Sequence, residues 1–302
     1  KAEQYTSFVQ EKHPHISFNF INAQGDQAID KYILTNEPMD VVFGSFSVFV
    51  SHKDKNILGD MTPLVKKHGF DLETIEQPYV DLIHEFDDGK LPLLPIYALR
   101  LGLYYNKELF DKFAVPYPAD GLTWNEMLEV AKQLTRSDDG VVYRGFATGS
   151  AGGGIPVNQY SLAVYDSDTG KASINTEQWK RYFDAVIPFF TLPGYEPDSE
   201  VMAYGNQLKM FEEGTAAMVL AFNSYGAFNL PALDLDWDVV SLPEMDDLRG
   251  VGAQPYPVYI GLSSTTKHPD EAFLAISALL SLEAHIARAS HFGIFSPLKN
   301  PD

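Results

Sequence analysis

The stretch Leu91-Pro92-Leu93-Leu94-Pro95-Ile96-Tyr97-Ala98-Leu99-Arg100-Leu101-Gly102-Leu103-Tyr104-Tyr105 constrains the fold of this chain most, because it runs with no linker into Asn106-Lys107-Glu108-Leu109-Phe110. Residues 99 to 105 are apolar on both faces, and such runs suit strands covered on both sides by helices. Pro92, Pro95 and Arg100 interrupt it, whereas a membrane span needs about 20 unbroken apolar residues. It therefore reads as a buried strand passing from one folded body into another. Asn106 then offers a side-chain oxygen to the first free amides of a helix carrying Leu109, Phe110 and Phe113.

Local signals place the other elements. Thr123-Trp124-Asn125-Glu126 is a capping box, and Met127, Leu128, Val130, Ala131 and Leu134 behind it share a helix face. Upstream, a helix over 2–13, a strand over 16–21, a helix over 26–36 and a strand over 39–43 alternate in the pattern of a mainly parallel α/β sheet. Thr62-Pro63 opens a further helix, and Gly69 ends it. Downstream of the crossing, helices are expected over 106–113, 123–135, 155–165, 176–191 and 200–213. Asn175 with Gln178 would cap the fourth, and Gly214 would stop the last. Short strands follow at 216–221 and 237–240. An acidic, then Gly- and Pro-rich loop over 244–255 leads to a return strand from Tyr256 to Leu262, with helices over 269–282 and 283–290.

Composition narrows the function. The 302 residues are 45% hydrophobic and 13% aromatic, ample for a core. Twenty-two basic against 41 acidic residues give a net charge of −19, which argues against a nucleic-acid surface and disfavours anionic ligands. With no cysteine there is no disulfide, thiolate catalysis or sulfur metal site.

Several chemical motifs fall short. Gly149-Ser150-Ala151-Gly152-Gly153-Gly154 lacks the Gly-Lys-Ser/Thr of a phosphate cradle. Asp166-Ser167-Asp168-Thr169-Gly170 with Glu177 imitates a calcium loop, but Gly falls one position early and one ligand is lost; the same residues make an ordinary turn. The eight histidines include no His-Glu-x-x-His helix, and His13 and His15 have no third ligand nearby in sequence, so no metal or cofactor is expected. Gly44-Ser45-Phe46-Ser47 lacks the closing glycine of a nucleophile elbow. Carboxylate pairs for glycoside hydrolysis are defined by spatial separation and stay open at this stage.

Aromatic and polar residues at strand ends are the stronger signal. Phe43, Gly44 and Ser45 follow a strand at its carboxyl end, where ligands of open α/β sheets collect. Tyr97 precedes the crossing, Asn223, Ser224 and Tyr225 follow a strand, and Gln254, Tyr256 and Tyr259 flank the return. Rings present flat faces to the C–H side of a sugar while amides and hydroxyls meet its hydroxyls; the alternative is that these tyrosines pack a core or rim.

The order of elements resembles the extracellular solute-binding proteins of ABC importers, especially the carbohydrate-type lipoproteins of Gram-positive bacteria. The resemblance rests on Leu94-Pro95, Tyr104 to Phe110, Thr123 to Met127, Ala131 to Thr135, Phe211 to Met218 and Lys267 to Ala272. It implies a two-lobe α/β fold whose crossover strands form a hinge near 99–103 and 260–263, with lobe I at 1–100 plus 261–302 and lobe II at 101–260. It implies a sugar held between the lobes, delivery to membrane permease subunits, an extracellular or periplasmic place with a lipid anchor, and action as a monomer without catalysis. It brings Ser150 toward the ligand from lobe II. Family members begin one strand earlier and continue further, so the chain is expected to lack that strand and the C-terminal part. Oligosaccharide binders often carry an acid near the crossing, where this chain has Tyr97, Ala98 and Leu99; Arg100 beside them could meet a carboxylate or form a salt bridge at the lobe edge. The rival readings are a secreted carbohydrate-active enzyme and a binder of a peptide, polyamine or metal chelate.

Overall fold

A computed structural model describes residues 2–21, 26–35, 37–147, 158–193 and 203–299. The strands among them are β1 Val41–Ser45, β2 Leu93–Leu99, β3 Leu101–Asn106, β4 Arg136–Asp138, β5 Val141–Tyr143, β6 Met218–Phe222, β7 Trp237–Ser241 and β8 Tyr256–Leu262. The chain divides into two compact units, Lys1–Leu99 with Tyr256–Asp302, and Arg100–Pro255. The return peptide therefore lies at Pro255/Tyr256 and not at 260/261, because the whole of β8 pairs inside the first unit.

In the first unit the sheet order is β1-β8-β2, and both pairings are antiparallel. The mainly parallel sheet expected from alternating helices and strands is not what forms, since a strand from the far end of the chain inserts between β1 and β2. Local periodicity cannot announce such a partner. Leu93, Leu94 and Ile96 of β2 and Tyr259 and Ile260 of β8 are buried with Val9, Phe49, Met61, Ile83, Phe273 and Ile276. Helix Thr62–His68 opens with Pro at its first turn and ends on Gly69 at φ 65°, as its sequence signals require. Residues 16–21 form no strand. Ile16 and Phe18 pack against the core while Phe20 and Ile21 stay exposed, so the alternation stops at Phe18 and the segment has no ladder partner among the described residues.

The second unit is built on the order β6-β3-β7, again antiparallel. Leu103 and Tyr105 enter one core with Phe110, Trp124, Met127 and Trp179, and Tyr104 enters another with Phe211, Val219 and Tyr225. A strand buried on both faces explains the unbroken apolar run. Asn106 caps helix Lys107–Lys112 by accepting from the Leu109 amide. At helix Trp124–Leu134 the Thr123 hydroxyl accepts from the Glu126 amide at 3.2 Å, and the Glu126 carboxylate accepts from the Thr123 amide at 2.8 Å. Thr123→Ala opens this box and is expected to lower unfolding free energy by about 1 kcal/mol, measurable as a lower urea midpoint at unchanged slope.

Two other expected elements differ. Residues 158–165 are turns and irregular chain, and 155–157 lie outside the described residues. Here the Gln159 side chain is pinned, accepting from the Trp124 indole N–H at 2.8 Å and donating to the carbonyls of Pro243 and Val251. The cap of helix Glu177–Val186 is Thr176 and not Asn175, its hydroxyl accepting from the Trp179 amide. Pro188 then turns the continuation, Ile187–Thr191, into a 3₁₀ segment.

Candidate functional site

In the first unit, β1 and β2 end where β8 begins, with Ser45 opposite Val258 and Leu99 opposite Tyr256. This edge carries the sequence-predicted residues. The Phe43 ring, about half exposed at 48%, lies 6.0 Å from the Tyr97 ring at 56°. The register of β2 shifts between Pro95 and Tyr97, and a bulge of that kind re-aims the residue that follows it. The aromatic pair is thus held on one face across the intervening β8.

Hydroxyls stand beside it. Ser45 Oγ is 3.0 Å from Ser47 Oγ, and Ser47 Oγ is 3.1 Å from the Tyr256 hydroxyl. Ser47 was not singled out from sequence. The signal was its place two residues after Ser45, in the first turn of helix Phe46–Ser51. Gly44 has room around it, since an added Cβ would meet only Val48 and Phe49 at 3.7–3.8 Å. Gln254 is exposed just before β8.

Tyr259 is a core residue. It is fully buried 5.6 Å from the Phe46 ring, and burial pushes its phenol above the ordinary range. Three positions along a strand reverse the face, so Tyr256 and Tyr259 cannot both look outward.

In the second unit the comparable edge holds the start of β3 and the end of β6, Leu101 opposite Phe222. Asn223 Oδ1 accepts from the Arg100 amide at 3.0 Å, and the Asn223 amide donates to the Arg100 carbonyl at 2.9 Å. Asn223 thus clasps the backbone of the crossing residue. Ser224 is half-buried in the following helix, Asn223–Phe228. Tyr225 is again core: 4% exposed, edge-on to Tyr104 at 5.6 Å, its hydroxyl donating to Glu212 at 3.2 Å. Burial and the Glu212 carboxylate both push its phenol upward. Ser150, with 148–157, lies outside the described residues.

A shallow concavity on the second unit, lined by Trp124, Asn125, Tyr160, Arg181 and Asp247 among others, has its polar groups already engaged with one another. Arg181 meets Asp247 at 3.2 Å, Tyr160 donates to the same carboxylate, and Asn125 donates to Asp246. Asp166 accepts from the amides of Asp168 and Thr169, which keeps its carboxyl below the usual range and makes the segment a turn. Among the described residues no three His, Cys, Asp or Glu side chains converge on a metal-sized site.

The sequence model of bacterial extracellular solute-binding proteins matches residues 1–286. The chain belongs to this family. Among solved structures, an ABC substrate-binding protein of Listeria monocytogenes in complex with cycloalternan is similar over 99% of this chain and 76% of that one, with 20% identity and a TM-score of 0.78. The maltose-maltodextrin binding protein of Alicyclobacillus acidocaldarius matches over 99% and 78%, at 15% identity and TM-score 0.73. UgpB of Mycobacterium tuberculosis, in complex with glycerophosphocholine, matches over 99% and 78%, at 14% identity and TM-score 0.78. These likenesses show the α/β fold of the solute-binding proteins, which the order of motifs anticipated. As a member of the family, this chain is a binding protein that works outside the cytoplasm.

Proposed function

We propose that this solute-binding protein takes up a carbohydrate and delivers it to the permease of an ABC importer. The observation that carries the reading is the half-exposed Phe43–Tyr97 pair beside the hydroxyls of Ser45, Ser47 and Tyr256. Rings supply apolar faces for a sugar's C–H surface, and hydroxyls orient it. The Listeria monocytogenes protein of the same fold, solved in complex with cycloalternan, supports the choice. In this reading the solute's greater affinity for one conformation of the protein than for another shifts the population toward the form that the permease receives. The protein acts as a monomer outside the cytoplasm, tethered by lipid at the cell surface or held in the periplasm, with no chemistry of its own.

Thermal melting with a panel of mono- and oligosaccharides tests this. A sugar at 100 times its Kd stabilises by about 2.7 kcal/mol, which raises the melting temperature by roughly 5–10 °C. The absence of a shift across the panel refutes the reading, a shift with glycerophosphocholine alone replaces it with a phosphodiester solute, and recovery of a shortened sugar replaces it with an enzyme.

A further inference from the structure

We propose that Asp139 is a site of spontaneous covalent modification, closing on the Gly140 amide to a cyclic imide that reopens as an isoaspartyl link. The inference is independent of the solute. In the first step the Gly140 nitrogen attacks Cγ of Asp139. A C–N bond replaces a C–O bond, and the hydroxyl of the protonated carboxyl leaves as water with the amide proton. Water then adds back to the ring. Attack at the side-chain carbonyl restores aspartate, whereas attack at the main-chain carbonyl leaves the backbone running through the side chain. Water is the only co-reactant. Ring closure is easiest where the next residue has no Cβ to obstruct the approach and where its amide is not already donating a hydrogen bond.

The sequence holds no Asn-Gly and three Asp-Gly pairs, Asp88-Gly89, Asp120-Gly121 and Asp139-Gly140. Two of them are restrained. The Gly121 amide donates to Ser241 Oγ at 3.1 Å, and the Asp120 carboxylate accepts from the Ser241 amide at 2.7 Å, so both reacting groups are held. The Gly89 amide donates to the His84 carbonyl at 2.9 Å, just past helix Gln77–Phe86. Gly140 differs. Among the described residues its amide has no hydrogen-bond partner, and the Asp139 carboxylate has neither a hydrogen bond nor an ion pair. Both residues are exposed, and an added Cβ at Gly140 would meet nothing within 4 Å, so the nitrogen is approachable. They form the two-residue turn between β4 and β5, at φ 48° and 79°, which is the left-handed geometry that Asp-Gly favours in such hairpins. Asp139 must swing out of that geometry for the ring to close. The hairpin permits it, since its ladder is three pairs long and both strands are largely exposed, and such elements open locally at low cost.

The product cannot keep the hairpin. An isoaspartyl link adds one carbon to the main chain of a two-residue turn, so Asp138 and Val141 no longer meet in register. Lys112, which joins Asp138 at 2.8 Å and the Tyr143 hydroxyl at 2.9 Å, then loses the frame that holds its two partners together. The experiment is to age the purified chain at pH 6.0, folded and in urea, and to map isoaspartate by peptide fragmentation that separates the two linkages. In the folded protein, isoaspartate at Asp139 should exceed that at Asp88 or Asp120 about tenfold, because those glycine amides must first give up hydrogen bonds. In urea, where no turn is held, the three sites should react at similar rates. Asp139→Asn keeps the turn and should react faster at the same position, read as the change in mass when ammonia leaves in place of water. Equal rates at the three sites in the folded protein overturn the inference. So does protection of Asp139 by folding to the same degree as Asp88 and Asp120.

Discussion

Gly145→Ala is expected to destabilise the second unit by about 4 kcal/mol and to lower its melting temperature by roughly 10 °C. The residue follows β5 and is held from two sides. The Arg144 amide donates to the Thr215 carbonyl, and the Ala147 amide donates to Met218 at the start of β6. Its own amide donates to Thr135 Oγ at 3.0 Å, which presses the chain onto the last turn of helix Trp124–Leu134. A Cβ on Gly145 would sit 2.0 Å from the Ala131 carbonyl oxygen and 2.6 Å from its carbon, an overlap with backbone that no rotamer relieves. The helix cannot retreat, because Trp124, Met127, Ala131 and Leu134 on its inner face are all buried, and Thr123 fixes its start. Overpacking at an ordinary core site costs about 1–3 kcal/mol where side chains can shift; here two backbones must part. Gly205→Ala is the control. It lies in helix Tyr204–Glu212 with nothing within 4 Å of an added Cβ, so the same substitution should stabilise by up to about 1 kcal/mol. Wild-type stability in Gly145→Ala would refute the close approach on which this rests.

That contact also marks where sequence stops being legible. Caps are local, and Asn106, Thr123, Thr62-Pro63 and Gly69 announced their helix ends because the groups they satisfy lie within a turn. Asn175 failed for an equally local reason, Thr176 being one residue nearer the first free amides. Pairing is not local. Nothing near Val41 or Leu93 says that Tyr256–Leu262 will insert between them, so the sheet's direction was misread although its strands were placed. The candidate site divides the same way. Phe43, Tyr97 and Tyr256 could be found as aromatics at strand ends, but their juxtaposition depends on β8, and Ser47 joins them only through helix Phe46–Ser51. Tyr225 and Tyr259 met the same rule and are core, because a tyrosine's position near a strand end does not say which face it takes.

A third consequence of long-range packing is a loss of stability in mild acid. Helix Leu282–Phe292 buries His285, 1% exposed, and Arg288, 5% exposed. Arg288 donates to the Leu279 carbonyl at 2.8 Å and lies 3.1 Å from His285 Nδ1. A guanidinium can only donate, so Nδ1 accepts and the ring proton is assigned to Nε2. Charging the imidazole would bury a second cation against the first. Burial, with the Arg288 charge added, holds the His285 pKa down to about 3, against 6.5 for a free histidine. The unfolded chain therefore binds a proton that the folded chain refuses. The stability this neutral ring contributes is fully present above pH 6.5 and is lost as pH falls from there toward 3. Between pH 6.5 and 4.5 the loss is about 2–3 kcal/mol, at 1.36 kcal/mol per pH unit. Asp270, Glu126 and Glu283, whose carboxyls lie below their usual values, begin to add acid sensitivity below about pH 5, so the interval from pH 7.0 to 5.5 and the comparison with the variant read the histidine. Urea unfolding at pH 7.0, 5.5 and 4.5 reads the slope. In His285→Gln, whose amide oxygen can accept from Arg288 without titrating, the slope should flatten even if stability at pH 7.0 falls. An imidazole that titrates near pH 6 by NMR in the folded protein, or an unchanged slope in the variant, would refute the assignment.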